Sequence, residues 1–390
     1  MIDFDFRNPT RIIFGKNSED KVGALLNEYS LKRVLIVYGG GSIKKNGLYD
    51  KVISILDKAD IFHVELGGIT PNPDRHFLSV GVRIARENGI QGILAIGGGS
   101  VIDVSKGIGV GFYYDNDPFD FNLYKAKPSK TLPVGVILTI ASAGSESSNS
   151  CVISDEKNHV KSGFNDDMIR PVFAIEDPAL TFSVSHYQTA AGITDIMMHS
   201  LERYFDDSGE YQLSDDWALS LCKNVKMAGE KALDYPSDYE ARAALMLASS
   251  LSHDGLTSIG KKQSFVVHPL EHALSGYKND VTHGAGIAIC FLGWASYFKE
   301  KLADKLARLG STLFDIHCED TNKAAIMTIN AMKDFYVSIG MPTSLREVGI
   351  KEDELETLAN IATGNGTRVV GLYPQPLDRQ AVLSIYRNCY

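Results

Sequence analysis

Short apolar, β-branched runs punctuate the first half of the chain: Val34-Leu35-Ile36-Val37, Ile61-Phe62-His63-Val64, Gly92-Ile93-Leu94-Ala95-Ile96, Val134-Gly135-Val136-Ile137-Leu138 and Pro171-Val172-Phe173-Ala174-Ile175. Stretches of helical period separate them, and this alternation predicts a parallel α/β sheet. Ahead of these runs, Phe4-Asp5-Phe6 and Arg11-Ile12-Ile13-Phe14 read as two short strands around Asn8-Pro9 and are expected at a subunit contact. From about Ser185 the period becomes that of helices, over 190–205, 215–233, 238–251 and 284–298, with no further strand signal. Asp177-Pro178 ends the last strand, and Ser183 or Ser185 is placed to cap the first helix. The expectation is an α/β domain over residues 1–181 and an all-α domain over 182–390, with the active site in the cleft between them.

Two of the predicted strands run straight into glycines. Ile93-Leu94-Ala95-Ile96 leads to Gly97-Gly98-Gly99-Ser100, after which 101–110 reads as a helix carrying Asp103 and Lys106. Glycines there admit close approach of a ligand to the backbone, and the free N–H groups at a helix start favour a pyrophosphate. The run Tyr38-Gly39-Gly40-Gly41-Ser42 follows the strand at 34–37 in the same way. A tight turn with no ligand has the same appearance; two such turns strengthen the nucleotide reading. No Asp or Glu follows that strand to bond a ribose 2′-OH, whereas Ser42, Lys44 and Lys45 lie close by, so NADPH is favoured over NADH. Thr139 and Ser145, in the small polar stretch after the run at 134–138, are further candidate cofactor contacts.

Asp195 and His199 stand four apart in a helical segment and therefore share one face. Such a pair is commonly a surface pair, but Ile193, Ile196, Met197 and Met198 surround it, and a charge among them requires compensation. His268 precedes Pro269, a residue suited to a first helical position, so His268 is expected at an N-cap. His283 opens a small-residue apolar helix, and His272 follows His268 by one turn. Asp195, His199, His268 and His283 are the predicted ligands of one divalent metal. Three nitrogens and a carboxylate oxygen suit Zn²⁺ or Fe²⁺ and disfavour Ca²⁺ or Mg²⁺. His63, His76, His159, His186, His253 and His317 are left as ordinary histidines.

Composition narrows the partners. The 390 residues are 44% hydrophobic, enough for a sizeable core. Acids exceed bases, 48 to 39, and no run of Lys or Arg is long enough to track a phosphate backbone, which argues against nucleic acid. No apolar run reaches the roughly 18 residues of a membrane span. Five scattered cysteines without a C-x-x-C pair fit a reducing compartment, and a cytoplasmic location is expected.

With these motifs together, the sequence resembles the iron-containing (group III) alcohol dehydrogenases, and within them the butanol dehydrogenase and aldehyde reductase branch. The resemblance rests on the two glycine turns, on Asp195-x-x-x-His199, on Val267-His268-Pro269-Leu270-Glu271-His272 and on Thr282-His283-Gly284, and it spans nearly the whole chain. It implies a dinucleotide-binding α/β domain followed by a helical metal-binding domain, the fold shared with dehydroquinate synthase. It also implies a homodimer, His272 close to substrate and nicotinamide, and cofactor contacts from Asn72, Asn149 and Lys161. NAD-selective members carry an Asp at the position of Gly39, so its absence again permits NADP(H), although NADH-using butanol dehydrogenases also lie in this branch; Gly39, Gly40 and Ser42 are the candidate cofactor contacts of this turn.

The expected reaction is hydride transfer between a short-chain alcohol or aldehyde, such as butanol or butanal, and NAD(P)(H), at a metal-polarised oxygen. His272 is assigned to proton transfer or to support of the ligands. The alternative is a lyase or cyclase of the dehydroquinate synthase type. Such an enzyme must grip a phosphorylated acid, and no cluster of Arg and Lys is evident around the predicted ligands. A non-catalytic nucleotide sensor would have no use for an open metal position.

Overall fold

The computed structural model describes residues 2–209 and 211–390. Its strands are β1 (Arg11–Phe14), β2 (Arg33–Tyr38), β3 (Phe62–Leu66), β4 (Gly92–Gly97), β5 (Val134–Leu138), β6 (Ser150–Asp155), β7 (Val160–Asn165) and β8 (Phe173–Glu176). Six form one parallel sheet in the order β1-β8-β5-β4-β2-β3, and β6 and β7 make a separate antiparallel hairpin. Along the central strands the side chains alternate between two cores. Leu35, Val37, Ile93 and Ala95 enter one, while Val34, Ile36, Leu94 and Ile96 enter the other. Both faces are covered by helices, which is why these strands are apolar throughout instead of alternating with polar residues.

The chain runs outward from β2 to β3, then returns to place β4 on the other side of β2 and continues to β5. The sheet therefore reverses direction between β2 and β4, where parallel sheets open a crevice at their carboxyl ends. Register aligns Tyr38 with Ile96 and Gly97 with Leu138, so both glycine turns and Thr139 emerge side by side at that crevice.

After β8 the elements among the described residues are helices, joined by one isolated bridge between Val370 and Leu377. Ser185 caps the first long helix, His186–Phe205, by accepting from the Gln188 N–H at 3.3 Å. At the centre of this half lies His283–Tyr297, buried continuously from Gly284 to Ala295. Gly284 lets that helix touch its neighbour, because a Cβ there would lie 2.1 Å from the Ala191 carbonyl oxygen.

Two local expectations differ from the structure. Phe4–Phe6 joins no strand: among the described residues β1 pairs only with β8, and Phe4 and Phe6 stay exposed. His268 is not an N-cap either, since its helix begins one residue earlier and spans Val267–Tyr277. The reason is Glu202, whose carboxylate accepts from the backbone N–H groups of Val266 and Val267 and so caps this helix from another one. Pro269 then falls inside the first turn, where its missing N–H leaves no bond unmade.

Candidate metal and dinucleotide site

Asp195 lies in the middle of His186–Phe205 and is 1% exposed. Its Oδ2 accepts from the Ser142 hydroxyl at 2.8 Å, which turns Oδ1 toward the imidazoles. Oδ1 is 3.2 Å from His199 Nδ1, 3.5 Å from His268 Nε2 and 3.7 Å from His283 Nε2. One carboxylate oxygen thus faces three rings from three helices, and the structure brings all four predicted ligands together. The ring centroids of His199 and His268 are 4.3 Å apart, and those of His268 and His283 are 5.4 Å apart.

Two imidazoles are held from behind, and His199 is held by the backbone through the same nitrogen that lies near Oδ1. His199 Nδ1 meets the Asp195 carbonyl oxygen at 3.0 Å, His268 Nδ1 meets the Glu202 carboxylate, and His283 Nδ1 meets the Glu271 carboxylate. Partners of this kind fix ring orientation and raise ligand basicity. Neither glutamate was singled out from the sequence. Glu202 was detectable as a further carboxylate on the Asp195 face, seven residues on, whereas Glu271 carries no comparable spacing signal.

The donor set fits a divalent cation. Asp195 Oδ1 and His268 Nε2 are buried and have no hydrogen-bond partner among the described residues, although they face each other. Burial alone would raise the Asp195 carboxyl, yet the three imidazoles hold it well below the usual carboxylate range. Burial likewise disfavours a charged His268, but Glu202 and Asp195 outweigh it and raise the ring to about 9. A cation in the cradle would replace that proton. His199 is pushed well down by burial and by neighbouring His253, which leaves the neutral ring a metal ligand requires.

This cradle opens onto a cleft of about 550 Å³ between the two halves, lined in part by Asn149, Lys161, His253, Phe265, His268 and His272. His272 lies with its ring centroid 5.6 Å from that of His283, and its nitrogens have no hydrogen-bond partner among the described residues. Lys161 reaches across from β7 to Asn72 Oδ1 at 3.0 Å, Ser275 Oγ at 2.9 Å and Glu271 Oε2 at 3.2 Å. Asn72, at φ 49°, donates to the carbonyls of Asn279 and Val281 and so ties the sheet's edge to the loop before His283.

At the glycine turns, Gly98 precedes the helix Gly99–Gly111, where a Cβ on Gly98 would lie 2.1 Å from Ile140 Cγ2. A Cβ on Gly39 would lie 3.4 Å from the Ile69 carbonyl oxygen, Gly40 borders open space, and Gly41 at φ 106° precedes the short helix that begins at Ser42. Thr139 donates its N–H to the Gly97 carbonyl at 3.1 Å, which fixes it beside the turn. Ser100 sits in the first turn of its helix with part of its surface open.

Asp103 and Ser145 have inward roles. The Asp103 carboxylate accepts from the Ser145 hydroxyl and from the Val152 N–H at 2.9 Å. Lys106, wholly buried, donates to the carbonyls of Ser145, Ser148 and Ser150 between 2.6 and 3.0 Å. Burial pushes its ammonium down to about 8. Together these residues hold the loop that leads into β6.

Known proteins are similar to this chain over nearly its whole length. Residues 9–178 match the family model described as iron-containing alcohol dehydrogenase, and residues 189–390 match the C-terminal model of the Fe-containing alcohol dehydrogenase family. The chain is 41% identical over 392 residues to NADH-dependent butanol dehydrogenase A of Clostridium acetobutylicum, covering 100% of both. It is 31% identical over 375 residues to the NADPH-dependent aldehyde reductase YqhD of Escherichia coli, covering 95% of each. The crystal structure of NADH-dependent butanol dehydrogenase A from Thermotoga maritima superimposes with a TM-score of 0.96 at 32% identity, over 100% of this chain and 99% of that one. With a carboxylate and three braced imidazoles beside paired glycine turns, and with relatives matched from end to end, the chain belongs to the iron-containing alcohol dehydrogenase family.

Proposed function

We propose that this enzyme, an NAD(P)-dependent alcohol dehydrogenase and aldehyde reductase, interconverts short-chain alcohols and aldehydes such as butanol and butanal. The observation that carries this reading is the convergence of Asp195 Oδ1 with His199, His268 and His283 at a cleft whose other wall carries Asn149 and Lys161 of the α/β half. A Fe²⁺ or Zn²⁺ ion held by these four residues would polarise the oxygen of the substrate. Gly97, Gly98, Gly99 and Ser100 are assigned to the pyrophosphate, with Gly39, Gly40, Ser42, Thr139 and Asn149 along the rest of the dinucleotide. Asp103 and Ser145 serve it by fixing the loop that borders it, and Asn72 and Lys161 by fixing the closure of the two halves. A lyase or cyclase of the dehydroquinate synthase type has no counterpart among the relatives named above, which are oxidoreductases.

NADPH is the proposed reductant. Glu65, held next to the first glycine turn by Tyr38, is bonded to the hydroxyls of Tyr38 and Tyr49 and lies 3.6 Å from Lys44 Nζ, so it is not free to hold a ribose 2′-OH. The 41%-identical relatives are described as NADH-dependent, which makes NADH the competing outcome. His272 is assigned to proton transfer. Burial first, and then Lys161, hold its ring well below the usual histidine value, so it is a neutral acceptor at pH 7. Substitution by alanine should lower turnover and alter its pH profile; full turnover with an unchanged profile would remove the role. The exposed edge at β1, with Phe4, Phe6 and Phe14 beside it, is the proposed face of a homodimer, and a cytoplasmic setting suits the five free cysteines.

The deciding experiment is a metal-reconstituted assay of NADH and NADPH over short-chain aldehydes. Butanal reduction should require the metal, and Asp195→Ala or His268→Ala should abolish both metal binding and turnover. Parent-like binding and reduction by either variant would overturn the assignment of the centre.

A further inference from the structure

Ser142, whose hydroxyl turns Asp195 Oδ1 toward the imidazoles, stands in a run of small residues, Ala141-Ser142-Ala143-Gly144, outside any helix or strand. Asp195 is aimed only as firmly as that loop is held. One helix of the other half, Tyr239–His253, grips three consecutive residues of it. Ser249 Oγ accepts from the backbone N–H groups of Ser142 and Gly144, each at 3.2 Å. Between them, the Ala143 carbonyl oxygen accepts from His253 Nδ1 at 3.0 Å.

Ser249 and Glu146 are both buried. The Ser249 hydroxyl donates to Glu146 Oε1 at 3.1 Å, the oxygen that Ser250 Oγ also reaches at 2.7 Å. With two N–H groups accepted and one hydrogen donated, the bonding capacity of Ser249 is complete. Glu146 sets its direction, because a hydroxyl hydrogen turned away from Oε1 would face one of the two N–H hydrogens. Without Ser249 Oγ, both of those N–H groups would lose their acceptor.

The loop is also close-packed on each side. A Cβ on Gly144, at φ 63°, would lie 2.4 Å from the Ser249 carbonyl oxygen, and one on Gly192, three residues before Asp195, would lie 2.3 Å from that of Ala141. Toward the second glycine turn, a Cβ on Gly99 would lie 3.0 Å from Ala143 Cβ. We propose that Ser249, oriented by Glu146, is a positioning residue for the metal centre: it fixes the Ser142 backbone and thereby the hydroxyl that aims Asp195. This rests on the metal assignment above. Neither Glu146 nor Ser249 hydrogen-bonds a proposed ligand, so any effect on the metal passes through Ser142.

The test uses the full-length protein with Co²⁺ as the probe metal. Affinity is read by competition with a chelator, and ligand geometry by visible absorption. Binding by the parent that Asp195→Ala abolishes tests the underlying assignment by itself. Ser249→Ala should weaken Co²⁺ binding by about tenfold, the low end for residues that orient ligands, and should alter the absorption bands. Ser142→Ala should do the same. In the Ser142→Ala background, adding Ser249→Ala should cost less than about a further twofold, because both changes act through one hydroxyl. Glu146→Leu should resemble Ser249→Ala, whereas Glu146→Gln, whose amide oxygen still accepts, should keep the parent's affinity and spectrum. Equal losses from Ser249→Ala with and without the Ser142 hydroxyl would overturn the proposal, since they would mark a general loosening of the fold. So would a parent-like affinity and spectrum in Ser249→Ala. Melting temperatures identify a variant that fails to fold; if Glu146→Leu does so, Glu146→Gln and the Ser142–Ser249 comparison decide.

Discussion

At the scale of single residues, the metal centre is governed as much by what stands behind the imidazoles as by the imidazoles themselves. Glu271 is fully buried, and although burial opposes its charge, His283 and then Lys161 hold its carboxyl well below the usual range. It is therefore ionised and able to orient His283. Replacing Glu271 or Glu202 with glutamine should weaken metal affinity by about 10 to 100-fold with little change in fold, measured by competition with a chelator of known affinity. Unchanged affinity in both variants would mean that the rings are positioned by helix packing alone. The four proposed ligands were legible in the sequence because a chelating i, i+4 pair and two histidines at helix starts are local patterns. Glu202 and Glu271 were not singled out, because their roles depend on how separate helices cross.

At the scale of elements, close approach between helices sets the cradle's dimensions. The helix His283–Tyr297 rests on His186–Phe205 through Gly284, where a Cβ would meet the Ala191 carbonyl oxygen at 2.1 Å and its Cα at 2.7 Å. Those obstacles are backbone and cannot turn aside. Gly284→Ala should cost about 1–3 kcal/mol in unfolding free energy without metal. It should also displace His283 from Asp195, so metal affinity should fall although no ligand has changed; calorimetric metal titration alongside urea unfolding separates the two effects. A variant as stable and as tightly metallated as the parent would show that this contact does not set the spacing. Strand and helix positions were largely legible, since both cores of the sheet draw on the apolar runs and the later helices keep a 3.6-residue period. The hairpin of β6 and β7 was missed for a physical reason. Its strands are short, serine- and lysine-containing and joined by Glu156–Asn158, and they owe their place to the bonds of Asp103, Lys106 and Asn122.

At the scale of the whole molecule, the halves meet at a buried pair of carboxylates. Glu146, from the loop after β5, and Glu176, the last residue of β8, both bring Oε1 within 2.7 Å of Ser250 Oγ, which belongs to the helical half. A hydroxyl has one hydrogen to give, so Ser250 donates to one glutamate and accepts from the other, which must be protonated. Burial raises Glu176, and the charge of Glu146 raises it further, to about 8 from the ordinary glutamate value of 4.5. The folded state then keeps a proton that the unfolded chain releases near 4.5. Stability from this group is complete below that pH, declines as pH rises through the interval up to about 8, and is fully lost above it. Glu176→Gln supplies a permanent donor of similar shape. It should be more stable than the parent at pH 9 by about 2–5 kcal/mol, the span of that interval at 1.36 kcal/mol per unit with allowance for the shared proton. The two should converge near pH 5. Urea unfolding at pH 5, 7 and 9 measures this, and parallel pH profiles for the two proteins would show that both carboxyls ionise in the folded state without cost.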